Sequence, residues 1–377
     1  MKIGMVGFRG IPHSYGGNEE FILHLGPRLA AAGHEVIVYC RSGLFEDRAP
    51  FYKGVRRVFL PTVEHKSLGQ FLHAGLAMIA AVKDGVDLVF IQTLPSAPHS
   101  VIPWIFRKPI VVNVDGLEWL RDKWGPIGKA YYRFARNTAL FTADELVNDS
   151  EVLRKYYLDH YHRDSAFIAY GSDLETSTSP GLIDRWGLRP GGYFLVISRL
   201  VPENNIDLIV RAYERLDTSK PLIIAGSANF ASPWVARLSA HGSDRIRFIG
   251  HVADRRELIE LQCNCFAYIH GHSVGGTNPS LVRALGCGNC VIAFASPYNR
   301  EVLTGDDGTM FGETFVGEED LVCAMSRLED DPDLVTRHRT RARDRVDQAY
   351  SWDYIAKRYD ELFQRVIDSR TQHQRPK

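Results

Sequence analysis

The sequence predicts two α/β domains in tandem, each built on a doubly wound parallel sheet with helices on both faces. Apolar runs of strand length alternate with helical patterns along the 377 residues, and this alternation is typical of parallel sheets. The series stops at residues 173–181, a segment rich in Ser, Thr, Pro and Gly, and then starts again. We therefore interpret 173–181 as a linker between two halves, each long enough to form a core.

The first half contains six apolar runs that we predict to be strands: KIGMVGF, EVIVYC, RRVFLP, DLVFIQ, PIVVNV and DELVND. A helix is predicted between the first two runs, and its apolar face consists of Phe21, Ile22, Leu25, Leu29 and Ala32. Pro27 lies inside this helix, so we expect a kink there. Gly33 is the expected C-cap.

The second half contains five further predicted strands: GYFLVIS, PLIIAG, RIRFIG, CFAYIH and CVIAFA. The last predicted helix, WDYIAKRYDELFQRVI, has an apolar face that another element must cover. The expected domains are residues 1–172 and 182–350, followed by a helical segment at 351–369.

The composition is that of an ordinary globular protein, with 45% hydrophobic and 24% charged residues. Lys+Arg and Asp+Glu both number 45, so net charge does not favour nucleic-acid binding. No apolar run approaches the roughly 18 residues of a spanning helix. The N-terminal run is short and broken by glycine, unlike a signal peptide. We therefore expect a cytoplasmic protein.

Six cysteines include the pairs Cys263-x-Cys265 and Cys287-x-x-Cys290. A zinc site needs about four converging nitrogen or sulfur ligands. Because these pairs lie in or beside predicted strands and helices, buried thiols are favoured over a metal site, and disulfides are not expected in the cytoplasm.

Functional residues are expected in the loops after strands, where ligands of doubly wound sheets bind. The first such loop, GFRGIPHSYGGNEEF, brings Gly10, Gly16 and Gly17 before a helix N-terminus, a pattern that suits a phosphate or sugar oxyanion. A plain turn is the alternative. The loop is not G-x-G-x-x-G, and Arg41 ends the second strand where an NAD site needs an acid. This counts against NAD but not against NADP.

The loop NVDGLEWLRDKWG follows the fifth strand and combines carboxylates with aromatic and basic residues. Asp115 and Glu118 could accept sugar hydroxyl protons while Trp119 stacks on the sugar ring. The alternative is a helix start with Asp115 as N-cap.

The next stretch, GPIGKAYYRFARN, is basic and aromatic. It could lie on an anionic membrane surface or form a solvated helix face. The residues concerned are Lys129, Arg133, Arg136, Tyr131, Tyr132 and Phe134.

Two loops of the second half suit a diphosphate. Arg199 directly follows a strand, where its guanidinium could clamp phosphates bidentately. In YIHGHSVGGTNPSLVRALGCG, the backbone of residues 275–277 presents N–H groups, Asn278 and Ser280 add side-chain partners, and Pro279 suits the first helical position.

These motifs resemble those of the family 4 retaining glycosyltransferases of GT-B fold, in particular the bacterial rhamnosyltransferase-like branch of polysaccharide assembly. The matching stretches keep their order along almost the whole chain. They are RGIPHSYGG, VDGLEW with RDKW, SRLVPENNIDLIV, IHGHSVGGTNPSLVRAL and YNREVL.

The resemblance implies two Rossmann-like domains facing a central cleft, with the C-terminal helix crossing back to the first domain. It implies no metal or cofactor, and a nucleotide-diphosphate sugar as co-substrate, bound mainly by the second domain. The acceptor, a glycan or a lipid-diphosphate-linked saccharide, would bind the first domain. The expected donor sugar is L-rhamnose from dTDP-rhamnose. Peripheral attachment to the inner face of the membrane stays open.

The expected site residues fall into three groups. The catalytic group is Asp115, Arg199 and Gly17. The donor-binding group is Gly16, Gly17, Arg199, Asn204, Asn205, Val252, His270, Gly275, Gly276, Thr277, Asn278, Ser280 and Arg283. The acceptor-binding group is Arg9, Tyr15, Glu118, Trp119, Arg121 and Lys123.

Two departures from the wider family concern the donor. The wider family has a lysine at the position of Asn204. The rhamnosyltransferase-like branch shares the PENN form found here, with asparagine in place of that lysine. The family's glutamate pair is replaced by Gly275 and Arg283, and arginine cannot accept a hydrogen bond from ribose hydroxyls. Arg283 could supply the missing cation, select a different nucleotide or a charged sugar, or mark a weakened donor site. A non-catalytic sugar-binding protein and a dinucleotide-dependent oxidoreductase or epimerase are the alternatives.

Overall fold

The computed structural model describes residues 1–12, 17–62, 68–114, 116–121, 124–228 and 233–373. The chain forms two compact units. The first consists of Met1–Tyr170 and Trp352–Lys377, and the second of Gly171–Ser351. Each unit is a Rossmann-like α/β fold around a mainly parallel sheet, which confirms the predicted fold class.

The strands of the first unit are β1 (Lys2–Val6), β2 (Glu35–Arg41), β3 (Phe51–Tyr52), β4 (Val55–Leu60), β5 (Leu88–Ile91), β6 (Ile110–Asn113), β7 (Glu145–Asn148) and β8 (Ala166–Phe167). Its helices are α1 (Gly17–Ala31), α2 (Leu68–Lys83), α3 (Val101–Ile105), α4 (Pro126–Thr142) and α5 (Glu151–Tyr161). The C-terminal helix, Trp352–His373, belongs to the same unit.

The sheet of the first unit has the strand order β3-β4-β2-β1-β5-β6-β7-β8. Only β3 and β4 pair antiparallel among the strand pairs described for it. Ile3 of β1 pairs with Val36 on one side and with Leu88 on the other. The chain direction across the sheet therefore reverses between β1 and β5, which is where ligands of doubly wound sheets bind.

The C-terminal helix packs on the first unit through aromatic side chains. Tyr359 and Phe363 are fully buried, and the ring centroids of Phe90 and Tyr359 lie 5.4 Å apart. At the helix start, the Trp352 ring lies 5.9 Å from Phe21 of α1. These contacts cover the apolar face recognised in the sequence.

The strands of the second unit are β9 (Phe194–Ile197), β10 (Leu222–Ala225), β11 (Ile246–Gly250), β12 (Ala267–His270), β13 (Val291–Phe294) and β14 (Glu313–Phe315). Its helices are α6 (Ile206–Glu214), α7 (Pro233–Ser239), α8 (Arg255–Asn264), α9 (Pro279–Gly286), α10 (Pro297–Leu303), α11 (Glu318–Asp330) and α12 (Pro332–Arg345).

The sheet of the second unit is parallel, with the strand order β11-β10-β9-β12-β13-β14. The chain runs outward from β9 to β11 and then crosses to the other side of β9 to form β12. The reversal point of this sheet therefore lies between β9 and β12. The loops after these two strands contain the two diphosphate motifs of the sequence.

Residues 173–181 are not a free linker, contrary to the interpretation of the sequence. They belong to the second unit, where the buried carboxylate of Glu260 accepts hydrogen bonds from the Ser177 hydroxyl (2.6 Å) and from the N–H groups of Thr178 and Ser179 (both 2.7 Å). Burial alone would raise the pKa of Glu260, but these hydrogen bonds outweigh it and lower the pKa. The Ser- and Thr-rich composition therefore supplies donors to a buried acid.

Gly286, the last residue of α9, provides a test of how closely this segment packs. A Cβ atom at position 286 would lie 2.5 Å from both the Asp173 carbonyl and the Ser172 hydroxyl. We expect Gly286→Ala to lower the free energy of unfolding by about 1–3 kcal/mol, because overpacking forces neighbouring backbone to move. Urea denaturation measures this effect.

The matched control for that substitution is Gly181→Ala in the same unit. The nearest atom to a Cβ there is an Asp184 carboxylate oxygen at 3.7 Å, an ordinary contact. We expect the control to change stability by less than about 0.5 kcal/mol. Equal effects of the two substitutions would contradict the close packing of residues 172–173 on α9.

Candidate active site

Arg199 lies at the reversal point of the second unit, two residues after β9. Its backbone carbonyl accepts hydrogen bonds from the Asn204 side-chain amide (2.9 Å), the Ser198 hydroxyl (3.0 Å) and the Val201 N–H (2.9 Å). Its side chain is exposed and makes no hydrogen bond or ion pair with the described residues. The loop is thus held in place while its guanidinium is available to an anionic ligand.

The side chains of the two asparagines that follow Arg199 in the loop stabilise the loop and are not directed to a ligand. Asn204 is only 3% exposed, and its amide also donates to the Ser198 hydroxyl at 2.7 Å. Asn205 has a left-handed backbone (φ 51°), and its amide donates to the Gly271 carbonyl at 2.9 Å. Asn204 therefore fixes the position of Arg199, and Asn205 joins the loop after β9 to the loop after β12.

The loop after β12 approaches the loop after β9 so closely that position 271 requires glycine. A Cβ atom on Gly271 would lie 2.1 Å from the Asn204 carbonyl oxygen. Ser273 adds two hydrogen bonds to the Glu203 carbonyl, from its N–H (3.1 Å) and from its hydroxyl (2.8 Å). The two loops that carry the diphosphate motifs therefore form one connected surface at the carboxyl edge.

Helix α9 begins at this edge with a side-chain cap. The Asn278 side-chain oxygen accepts hydrogen bonds from the N–H (3.0 Å) and the hydroxyl (2.8 Å) of Ser280, so these two polar side chains bond to each other. Thr277 is buried, whereas Gly275 has a left-handed backbone (φ 118°), and a Cβ atom there would have no described atom within 4 Å. Gly275 therefore leaves room for a ligand beside the start of α9.

His270 ends β12 as a buried, neutral side chain. It is 1% exposed, and neither of its ring nitrogens has a hydrogen-bond partner among the described residues. The ring stacks on His272, with centroids 4.3 Å apart. Burial, and secondarily the charge of His272, lowers the pKa of His270 well below its ordinary value. At neutral pH His270 can therefore donate one hydrogen bond and accept another, but it supplies no positive charge.

Arg283 lies on α9, one turn after the cap, and is half-buried. Burial raises the pKa of Tyr268 to about 12, while its hydrogen bond with the Ser280 hydroxyl and the positive charge of Arg283 act in the opposite direction. The Tyr268 hydroxyl donates to the Ile197 carbonyl at 3.3 Å, at the end of β9. The charge of Arg283 therefore acts on Tyr268, whose hydroxyl reaches the end of β9.

Val252 follows β11 and is 9% exposed. Its strand lies two positions from β9 in the sheet, so residue 252 is at the same carboxyl edge. The structure thus brings the expected donor-binding residues of the second unit to one edge. Some of them, Asn204, Asn278 and Ser280, serve the local structure with their side chains.

The first unit brings two arginines to its reversal point, and sequence reasoning recognised only one of them as a site residue. Arg9 follows β1, Arg41 ends β2, and the Arg41 N–H donates to the Arg9 carbonyl at 2.8 Å. Buried Glu19 of α1 lies 3.8 Å from the Arg9 guanidinium. The Arg41 Nε atom is buried and has no hydrogen-bond partner among the described residues.

The charged groups of this cluster shift one another's pKa values. Burial, and secondarily the neighbouring Arg9, lowers the pKa of Arg41, while Glu19 opposes the shift. Burial raises the pKa of Glu19, which Arg9 opposes. Two guanidinium groups thus lie close enough at the carboxyl edge for the charge of Arg9 to act on Arg41, and an anionic ligand bound there would favour the charged form of both.

A buried polar chain lies at the same reversal point. The Gln92 amide, directly after β5, donates to the Tyr170 hydroxyl at 3.1 Å, and Tyr170 donates to the Asn18 side-chain oxygen at 3.2 Å. The Gln92 side-chain oxygen is buried without a hydrogen-bond partner among the described residues. No motif of the sequence pointed to these three residues, because they are far apart in the chain.

The acceptor motif after β6 has a different geometry from the one expected. Glu118 uses both carboxylate oxygens, accepting from Arg121 and from the Trp124 indole, both at 2.7 Å. Trp119 is only 3% exposed, and the Arg136 guanidinium lies over its ring at 5.0 Å. Its ring is therefore a core side chain, not an exposed platform for a sugar. Glu118 and Arg121 form one paired cluster.

Of the remaining predicted site residues, one is exposed and four lie outside the residues that the structure describes. Gly17 is exposed and is the first residue of α1. Four predicted site residues lie outside the described residues: Tyr15, Gly16, Asp115 and Lys123.

Comparison with known proteins identifies both halves of the chain. Residues 15–176 match the model of Glycosyltransferase Family 4, and residues 189–345 match the model of Glycosyl transferases group 1. The chain combines a family 4 and a group 1 glycosyltransferase domain. A search of curated protein sequences found no match to this glycosyltransferase.

Several solved structures share the GT-B fold of this glycosyltransferase. A sucrose-phosphate synthase from Thermosynechococcus elongatus is 18% identical and covers 98% of this chain and 99% of its own, with a TM-score of 0.79. HepE from Anabaena in complex with UDP-glucose is 18% identical, covering 97% and 100%, with a TM-score of 0.77. A glycosyltransferase from Rickettsia africae is 14% identical, covering 97% and 98%, with a TM-score of 0.73.

The cysteines of the glycosyltransferase are free thiols, and Cys265, Cys287 and Cys290 are buried. Within the described ranges, no group of three His, Cys, Asp or Glu side chains is placed to hold a metal ion. Among the helices described, none is long and apolar enough to cross a membrane.

The buried state of His270 predicts a pH dependence of stability. Its pKa in the folded protein is below the unfolded value of about 6.5. Below pH 6.5 the unfolded chain therefore binds a proton that the folded protein does not, and stability falls as pH decreases. We expect His270→Asn to reduce this loss by up to about 1.4 kcal/mol per pH unit.

Urea denaturation at several pH values between 7.5 and 5 measures this slope. His160→Asn, which removes an exposed histidine of α5 in the first unit, is the matched control. An identical slope for wild type and His270→Asn would show that His270 is protonated in the folded protein.

Proposed function

We propose that this glycosyltransferase transfers a sugar, with retention of anomeric configuration, from a nucleotide-diphosphate donor to a saccharide acceptor in bacterial polysaccharide assembly. The observation that carries the proposal is Arg199, an exposed cation that buried Asn204 and Ser198 hold at the reversal point of the second unit. The resemblance of the motifs to the retaining rhamnosyltransferase-like branch supports retention of the anomeric configuration and a function in polysaccharide assembly.

The donor diphosphate binds the edge formed by the loops after β9 and β12. Its departure as a nucleoside diphosphate develops negative charge, and donors held in place before the reaction stabilise such charge without reorganisation. Arg199 supplies a charged donor, and the backbone around Gly275 and Gly276 allows close approach of the phosphates. His270, neutral and without a partner on either nitrogen among the described residues, offers one further hydrogen bond.

The donor sugar is assigned by two lines of support. The motif resemblance favours dTDP-L-rhamnose. HepE, which shares the fold, is described in complexes with UDP and with UDP-glucose. We propose dTDP-rhamnose as the first donor to test and a UDP-hexose as the second.

Arg283 acts in this proposal as the second cation of the donor site. The charge at position 283 lies beside Tyr268 and so beside the end of β9, where a diphosphate held by Arg199 would lie. An arginine cannot accept hydrogen bonds from ribose hydroxyls. The nucleotide would therefore be held mainly through its phosphates.

The acceptor is proposed to be anionic and to bind the first unit. Arg9 and Arg41 lie with Glu19 at the carboxyl edge of β1 and β2, and the positive charge of Arg9 lowers the pKa of Arg41. The negative charge of a diphosphate-linked saccharide would be attracted to these two cations. Asp115 is proposed to orient the transferred sugar or to assist proton transfer from the acceptor, with Glu118 and Arg121 positioning the acceptor.

A non-catalytic sugar-binding function is the second candidate. The specific observation in its favour is Arg283, a cation at the position where the family holds ribose hydroxyls. Such a protein would bind a saccharide acceptor but would not turn over any activated donor.

Nucleotide binding tests the donor site directly. We expect dTDP or UDP to raise the melting temperature of the wild type, since a ligand at 100 times its dissociation constant stabilises by about 2.7 kcal/mol. Arg199→Ala should raise the dissociation constant at least tenfold, because a charge-assisted hydrogen bond contributes about 1.5–3 kcal/mol. Arg283→Glu should abolish the shift.

The matched control is Arg341→Ala, at an exposed arginine of α12. Nearby Arg339 bonds to the Cys265 carbonyl, which precedes β12, so this part of α12 lies at the opposite edge of the sheet. A change of less than threefold for Arg199→Ala would exclude the proposed clamp. Recovery of nucleotide binding only in Arg283→Glu would favour the non-catalytic function.

A further inference from the structure

The first unit exposes large apolar side chains on two adjacent elements. In α3 and the residue after it, the exposed fractions are 39% for Trp104, 64% for Ile105 and 60% for Phe106. In α4, the exposed residues are Ile127 (87%), Phe134 (58%) and Phe141 (69%). We call these six residues the apolar patch. Large exposed apolar side chains that cluster in this way mark interaction sites.

The apolar patch is continuous across α3 and α4. The ring centroids of Trp104 and Phe141 lie 5.2 Å apart. Along α4, Ile127, Phe134 and Phe141 are spaced seven residues apart, which is close to two helical turns, so they form one stripe. The patch is thus one surface rather than two separate exposures.

Basic residues surround the apolar patch, and acids are absent from its segments. Residues 94–114 and 124–143 contain no Asp or Glu, although the whole chain has as many acidic as basic residues. The cations are Arg107, Lys108, Lys129, Arg133 and Arg136. Arg107, Lys108 and Arg133 make no ion pair with any described residue.

The structure changes which residues of α4 belong to this surface. Arg136 donates to the Tyr161 hydroxyl at 2.6 Å, and its guanidinium lies over the Tyr161 ring. Tyr132 is buried, and Tyr131 donates to the Pro95 carbonyl at 2.6 Å. These three residues, which the sequence placed on the basic and aromatic face, hold α4 onto the unit.

We propose that the apolar patch and its basic border bind the surface of an anionic lipid bilayer. An interfacial helix combines an apolar stripe with flanking Lys and Arg, as the stripe of α4 does with Lys129 and Arg133. The apolar side chains enter the boundary between headgroups and acyl chains, and the cations contact headgroup phosphates. The proposal does not depend on transferase activity, because it concerns no sugar-binding residue.

A bilayer fits this surface better than an acidic protein does. Arg107, Lys108 and Arg133, which make no ion pair with any described residue, match a uniformly negative surface, whereas protein interfaces pair both signs of charge at their borders. The most exposed residue of the patch, Ile127, lies in the first turn of α4, directly after Gly125 and Pro126. A side chain with such a large exposed fraction can enter a lipid headgroup layer.

Flotation of the full chain with lipid vesicles tests the proposal. Vesicles of phosphatidylcholine alone are compared with vesicles that also contain phosphatidylglycerol. We expect the protein to float with the anionic vesicles only and to be released by salt, since screening weakens exposed charges. A protein that stays in the soluble fraction at low salt with anionic vesicles would overturn the proposal.

Two variants locate the binding surface. Arg107→Gln with Arg133→Gln removes two charges of the border and should weaken vesicle binding at least tenfold, because each cation near an anionic surface contributes about fivefold. Lys155→Gln with Lys357→Gln removes two exposed charges elsewhere on the same unit and is the matched control. Equal weakening by both double variants would overturn the assignment to the patch.

The second variant, Phe106→Ser with Phe134→Ser, tests the apolar contribution without changing charge. It should weaken binding to anionic vesicles at least tenfold while leaving the melting temperature and the affinity for nucleotide unchanged. Sedimentation velocity distinguishes a lipid surface from a protein interface. If the wild type self-associates and the serine variant is monomeric with unchanged vesicle binding, the patch is an interface between copies of the chain and the proposal is wrong.

Discussion

The contact between Gly271 and the backbone of Asn204 determines the geometry of the second unit's carboxyl edge. Because a side chain at position 271 would meet the Asn204 carbonyl at 2.1 Å, only glycine allows the loops after β9 and β12 to touch. Asn205 and Ser273 then join the same two loops by hydrogen bonds. The position of Arg199, the open backbone at Gly275 and the start of α9 all follow from this contact.

Both units present positive charge at the reversal point of their sheets, and in each case buried groups hold the arginine in place. In the second unit, Asn204 and Ser198 hold the backbone of Arg199. In the first unit, buried Glu19 lies 3.8 Å from the Arg9 guanidinium, and the Arg41 N–H donates to the Arg9 carbonyl. Both edges therefore place positive charge where an anionic ligand could bind.

The strands could be predicted from the sequence because a parallel strand buried on both faces is a continuous apolar run. All eleven predicted strands are present. The structure adds β3, β8 and β14, which have only two or three residues and leave no periodic pattern. The segment at 173–181 looked like a linker because its serines and threonines serve a buried acid, Glu260, that lies about eighty residues away in the chain.

Whether a side chain is buried could not be read reliably from the sequence, and this decided which candidate site residues were recognised. Arg199 became a candidate because a cation that closely follows a strand has few structural purposes, and Gly275 because paired glycines precede the start of a predicted helix. Trp119 looked like a surface residue because carboxylates surround it, yet the ring is in the core. Gln92 was missed, and Arg41 was considered only in relation to a dinucleotide, because their partners are distant in sequence. The α4 part of the apolar patch lies in the segment that the sequence suggested for a membrane surface, whereas the α3 part was missed since VIPWIF has the composition of a core segment.

Hydrogen–deuterium exchange of the full chain, with and without the nucleoside diphosphate that stabilises it, tests the central claim most directly. We expect slower exchange at the loops after β9 and β12, residues 198–205 and 270–283, because a diphosphate held by Arg199 would bury their N–H groups. Protection confined to the loops after β1 and β5 of the first unit would contradict the claim. So would nucleotide binding that leaves both loops of the second unit unprotected.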